Sequence, residues 1–142
     1  MRRFAAVFLI AGVVFALAGI GVAGAAGRPL STTLTGAEEV PPADPDGSGF
    51  ASISVNPGTG TVCYDVTTEN IDAVAAAHIH QEVFGVNGDV VVDLMPTGQS
   101  WSGCNEDVSR ALALDLIRNP SGYYVNVHTA AFPGGAIRGQ LG

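Results

Sequence analysis

The chain has 142 residues, with 13 acidic and 6 basic side chains, a formal charge of −7 and no lysine. That length fits one ordinary domain. The acidic balance excludes a nucleic-acid or anionic-membrane binder, because neutralising phosphate needs a basic patch.

Arg2 and Arg3 open the chain, and an uncharged, mostly apolar run follows from Phe4 to Ala26, ending in small residues. Basic, then apolar, then small is the order of an export signal. Cleavage is expected near Ala26, with Gly24 and Ala26, or Ala23 and Ala25, as the small residues before the cut. The rival is an uncleaved anchor, since about 20 apolar residues suffice to cross a bilayer. The small residues and the lack of charge before Arg28 favour cleavage, and the lack of a nearby Cys argues against a lipid anchor. The expected organisation is a signal peptide over 1–26 and one domain over 27–142. That domain would be secreted or held in the cell envelope, with no membrane association after cleavage. Losing Arg2 and Arg3 takes the formal charge from −7 to −9. The remaining chain, about 115 residues, can build a single core.

Short strands and turns follow. Leu30, Thr32 and Leu34 alternate in a first strand within Arg28 to Gly36. Glu38-Glu39-Val40-Pro41-Pro42 must be extended and irregular, because consecutive prolines cannot donate to a ladder. Asp44 to Gly49 is a turn cluster. Ala51, Ile53 and Val55, then Asn56 to Gly60, then Val62, Tyr64 and Val66 form the clearest hairpin, with one buried face. Further strands are predicted over about Ala75 to Gln81 and Asp89 to Leu94, with a turn at Gly85 to Gly88. Val108, Leu112 and Leu116 recur at intervals of four, so Glu106 to Arg118 is expected to be a short helix capped by Asn105 and stopped by Pro120 and Gly122. Two more strands, Tyr123 to Thr129 and Gly135 to Leu141, flank a turn at Pro133-Gly134. The fold class is mainly β: an antiparallel β-sandwich or Greek-key barrel with one short helix.

The two cysteines, Cys63 and Cys104, most simply form one disulfide in an oxidising compartment. Alternation turns Cys63 away from Val62 and Tyr64, so the bond is expected to tie the outer face to a loop. Two thiols in a metal site are the alternative, although their spacing matches no zinc pattern. Trp101 is expected to pack around the disulfide, or else to anchor a partner.

The three histidines all fall in strand segments. His78 and His80 are two residues apart and point to one face, about 7 Å apart. Tyr124, Asn126 and His128 share the face opposite Val125 and Val127, and Arg138 and Gln140 lie opposite Ile137 and Leu141. If these strands are neighbours, His78, His80 and His128 converge on the outside of the sheet. Neutral imidazoles so placed suit copper or zinc and leave a coordination position open. Tyr124, Asn126 and Arg138 would then surround the ligands or steer an anion. In the competing reading His78 and His128 hydrogen-bond backbone carbonyls or acidic side chains and pin a loop. Glu38-Glu39 and Asp44/Asp46 are expected to be a solvated acidic edge rather than a calcium or acid–base site. There is no Gly-x-Ser-x-Gly elbow, and no catalytic set is assigned.

Leu34-Thr35-Gly36-Ala37-Glu38-Glu39-Val40-Pro41-Pro42, then Ala77-His78-Ile79-His80 with Gly85 to Val90, then Tyr123 to Thr129 with Pro133 to Gln140 resemble the opening, middle and end of CHRD (chordin-type) domains. The resemblance runs from about Leu30 to Leu141. It implies an exported β-sandwich module that contacts a protein, glycan or extracellular matrix component without catalysis. A fainter similarity is to copper/zinc superoxide dismutases, whose barrel carries a His-x-His strand and a later Val-His strand. It implies His78, His80 and His128 as three copper ligands. A fourth copper histidine and a zinc cluster have no match, and the cysteines are spaced differently.

Overall fold

The computed structural model describes residues 27–142; the expected export signal, residues 1–26, lies outside the described residues. No described helix is long and apolar enough to cross a membrane. The elements are β1 (Arg28–Thr35), β2 (Ser48–Asn56), β3 (Thr61–Glu69), β4 (Val74–Gln81), β5 (Asp89–Asp93), β6 (Ser100–Asn105), α1 (Arg110–Arg118), β7 (Tyr123–Thr129) and β8 (Ile137–Gln140). Single 3-10 turns occupy Gly36–Glu38 and Pro120–Gly122.

The strands form one antiparallel ladder in the order β5-β4-β7-β8-β1-β2-β3-β6. β8 and β1 share only the pair Thr35↔Arg138, whereas β1 and β2 stay in register from Arg28↔Val55 to Thr35↔Ser48. The narrow join lets the two four-stranded halves fold face to face, so the sheet is sandwich-like and nearly closed as a barrel. The chain passes between the halves from β3 to β4, β5 to β6 and β6 to β7. Across from the join, Trp101 Nε1 donates to Leu94 O at 2.8 Å, tying β6 to the residue after β5.

Period-two alternation fixes which side chains enter the core. In the hairpin, Ala51↔Val66, Ile53↔Tyr64 and Val55↔Val62 are facing pairs, all buried. At its turn, Asn56 Oδ1 accepts from the Gly58 and Thr59 amides at 2.9 and 3.3 Å. The opposite wall supplies Ala77, Ile79, Val92, Val125, Val127 and Ile137.

Three expectations are corrected. The helix begins at Arg110, not Glu106, and its cap is Ser109, whose Oγ accepts from the Leu112 amide at 3.2 Å. Asn105 instead ends β6, opposite Val62, and the chain must first lead Val108 into the core. β6 itself was not expected, because Ser-Trp-Ser-Gly-Cys-Asn has only one large apolar side chain, Trp101, which is buried. The Cys63–Cys104 disulfide therefore joins facing residues of two neighbouring strands, 41 positions apart, rather than a strand and a loop.

Candidate metal centre

Because β4 and β7 are neighbours, the outward side chains of β4, β7 and β8 form one polar field. His78 lies opposite Asn126, Asn126 opposite Arg138, His80 opposite Tyr124, and Tyr124 opposite Gln140. His128 pairs with Ala76, diagonal to His78. The field is not the open outer face that alternation suggests: His80 is 8% exposed, Asn126 2%, Tyr124 1% and Arg138 0%. Chain from the β1–β2, β4–β5 and β7–β8 connections covers it.

One nitrogen of each of His78, His80 and His128 lies within 4.8 Å of the others, and these three residues are the metal-capable group of His, Cys, Asp or Glu among the described residues. The hydrogen-bond partners show which nitrogens are already engaged. His80 Nδ1 meets Gly88 O at 2.9 Å, and His128 Nδ1 meets Pro133 O at 3.1 Å. A carbonyl only accepts, so each Nδ1 carries hydrogen and each Nε2 keeps its lone pair. His80 Nε2 is buried with no partner. His78 Nε2 lies 3.2 Å from Asp93 Oδ1, an ion-pair contact when the ring is protonated. His78 Nδ1 is 3.1 Å from His128 Nε2, so a neutral His78 in the Nδ1–H tautomer donates to it.

The place between His78 Nδ1 and His128 Nε2 takes the His78 proton or, with His78 in its other tautomer, a cation bound by both lone pairs. Burial favours neutral rings. His78 is held below the ordinary imidazole pKa by desolvation, against the pull of Asp93. His80 is lowered by desolvation, offset in part by the Gly88 carbonyl. His128 is lowered by desolvation and then by His78. Neutral rings are also the form that binds metal. Ligation at about 2.0–2.1 Å spans at most about 4.2 Å between nitrogens, so one ring must close in slightly. The donor set therefore fits zinc or copper.

The surrounding residues are ordered in layers. Tyr124 stacks on His80 with centroids 4.9 Å apart and ring planes 9° from parallel. Arg138 Cζ lies 3.4 Å from the Tyr124 centroid. Asn126 contacts Glu39, which is 5% exposed and thus no solvated edge. Desolvation raises the Glu39 pKa from 4.5 to about 7, with Arg138 and then Asn126 acting in the opposite direction. Asp44 is buried too, its Oδ1 accepting from the Gly47 amide at 3.2 Å. A Cβ on Gly135, at φ 138°, would lie 2.5 Å from Glu39 Oε1 and 2.6 Å from Asn126 Oδ1, so only glycine admits both side chains there.

His78, His80 and His128 are thus brought together as expected, with Tyr124, Asn126 and Arg138 beside them. Sequence reasoning missed Asp93, although the inward neighbours Val92 and Leu94 mark it as outward-facing. Bonds to backbone carbonyls were the competing expectation, but which carbonyls, Gly88 and Pro133, could not be read, because a backbone acceptor leaves no mark in composition. Glu39 was missed because nothing local distinguishes it from Glu38.

A family model described as CHRD domain matches residues 30–141. No curated protein and no solved structure matches the chain.

Proposed function

The chain belongs to the CHRD domain family, and from that premise we propose that it is an exported β module whose His78, His80 and His128 hold one copper or zinc ion. The observation that carries the reading is the convergence of three imidazoles, one nitrogen of each within 4.8 Å of the others, with His80 Nε2 buried and unpartnered. A metal ion held by the three rings would satisfy the orphan nitrogen. Bound zinc would supply a Lewis acid and bound copper a redox couple. The chain's own residues orient the rings: Gly88 O and Pro133 O set the tautomers of His80 and His128, and Asp93 lies against His78.

Export is supported by the residue order of 1–26, by the disulfide, and by the occurrence of CHRD domains in extracellular proteins. The partner class is a protein, glycan or extracellular matrix component, and no catalytic residue is assigned. A second reading rests on the chain His78–His128–Pro133, whose two hydrogen bonds neutral Nδ1–H rings complete by themselves. In that case the histidines only pin loops.

Elemental analysis of the mature protein after exposure to one equivalent of zinc or copper and gel filtration separates the two readings. Near-stoichiometric metal that is lost on His128→Ala supports the first. A metal-free protein, or metal retained by the variant, rejects it.

A further inference from the structure

Arg138 is the least expected residue of the polar field, a cation on a strand with 0% exposure. Its donors point into the β4–β5 connection. Nη1 reaches Asn87 Oδ1 at 3.3 Å and Nη2 reaches Val83 O at 3.2 Å. Other groups hold the same segment, residues 82–88. Gln140 Nε2 donates to Glu82 O at 2.8 Å, and Asn87 Nδ2 donates to Val40 O at 2.7 Å. The Gly88 amide donates to the Tyr124 hydroxyl at 3.0 Å, while the Gly88 carbonyl accepts from His80 Nδ1 at 2.9 Å. A Cβ on Gly88 would lie 2.1 Å from Gln81 O, so the segment returns hard against the end of β4.

These bonds meet at one peptide. Gly88 is gripped through its amide by Tyr124 and offers its carbonyl to His80. The segment ahead of it has little apolar packing to keep it in place: Val83, Phe84 and Val86 are 54%, 65% and 45% exposed. Its position therefore rests on hydrogen bonds from Arg138, Asn87 and Gln140. We propose that Arg138 and Asn87 are positioning residues for His80: they hold residues 82–88 so that Gly88 O fixes the Nδ1–H tautomer and aims Nε2 at His78 and His128.

The outer partner of a metal-bound imidazole fixes ring orientation and raises its basicity, and losing it costs about 10–100-fold in metal affinity. The coupling works in both directions, because linkage is reciprocal. If ligation at Nε2 strengthens donation from Nδ1, a bound ion must also tighten the segment that carries Gly88. A guanidinium is suited to the task, since its fork reaches two acceptors while its face rests on an aromatic ring; an ammonium cannot do both. The affinity and tightening effects rest on the three-histidine metal reading, but the tautomer effect does not.

The test uses metal-free full-length mature protein, ¹⁵N-labelled, with zinc alone as probe, in wild type, Asn87→Ala, Arg138→Gln and Arg138→Lys. Asn87 is exposed, so its variant should fold even if those at Arg138 do not. Wild type should show His80 ring nitrogen shifts of a single Nδ1–H tautomer and slower amide exchange over 83–88 when zinc is added. Asn87→Ala should show averaged His80 shifts and zinc affinity about 10-fold weaker or worse. Arg138→Lys should follow Arg138→Gln rather than wild type. Asn87→Ala with the wild-type tautomer and zinc affinity within twofold would overturn the proposal, whether or not its loop amides exchange faster. Averaged shifts in Asn87→Ala, with no zinc bound by wild type, would uphold the positioning role and reject the metal reading alone.

Discussion

Replacing His80 and His128 together by Ala separates a metal site from a polar network. In metal-free protein the double variant loses two ring-to-carbonyl hydrogen bonds, to Gly88 and Pro133. Each contributes about 1 kcal/mol net. The variant also loses the His78–His128 hydrogen bond, and removing the unpartnered His80 Nε2 offsets part of the total. The expected net cost is about 1–2 kcal/mol, or a Tm lower by about 4–8 °C for a domain of this size. The zinc response should change far more. With free zinc 100-fold above Kd, binding stabilises wild type by about 2.7 kcal/mol, a rise of about 10 °C. The variant keeps a single imidazole and should rise by less than about 2 °C. Scanning calorimetry of chelator-treated proteins, with and without zinc or copper, provides the measurement. An equal metal-induced rise in both proteins, or none in wild type, would refute the reasoning.

Glu39 should produce a pH signature opposite in sign to that of the histidines. Its folded pKa, about 7 against 4.5, makes its contribution largest below 4.5 and lost as pH rises through 7. The three histidines, depressed below 6.5, contribute above 6.5 and lose that contribution as pH falls below it. The stability of Glu39→Gln minus that of wild type, from urea melts, should therefore rise between pH 4.5 and 7; a flat difference would sink the assignment. Gly135→Ala should cost about 2 kcal/mol or more, from a left-handed backbone and a collision with Glu39 and Asn126, and an unchanged urea midpoint would contradict it. Reducing Cys63–Cys104 should remove about 4 kcal/mol in the chain-entropy model, lowering Tm while the domain stays folded at room temperature. Reduced and oxidised forms with the same Tm would overturn that estimate.

Where one side of a strand is apolar, the sequence was decisive. Ala51, Ile53 and Val55 against Val62, Tyr64 and Val66 admit only one inward face, and a slip of one residue would expose all six. β6 was hidden because at the edge of the sheet its one large apolar side chain, Trp101, sets no period. The helix was placed four residues early because spacing by four locates a face but not the first turn. At Ser109 a single hydroxyl made that choice.

At the site, alternation alone put His78 with His80, and His128 with Tyr124 and Asn126, on common faces. It could not tell that β4 and β7 are neighbours, because strand order is set by how the two halves close over a shared core. Nor could it tell that the outward face is buried. Arg138, Tyr124 and Asn126 carry the residue types of a solvated surface, and they are buried because distant connections fold over them. Residue order determined every strand but β6, their inward faces and the family. Tertiary structure alone decided how the three rings face one another, since that depends on Gly88 and Pro133 carbonyls delivered by loops.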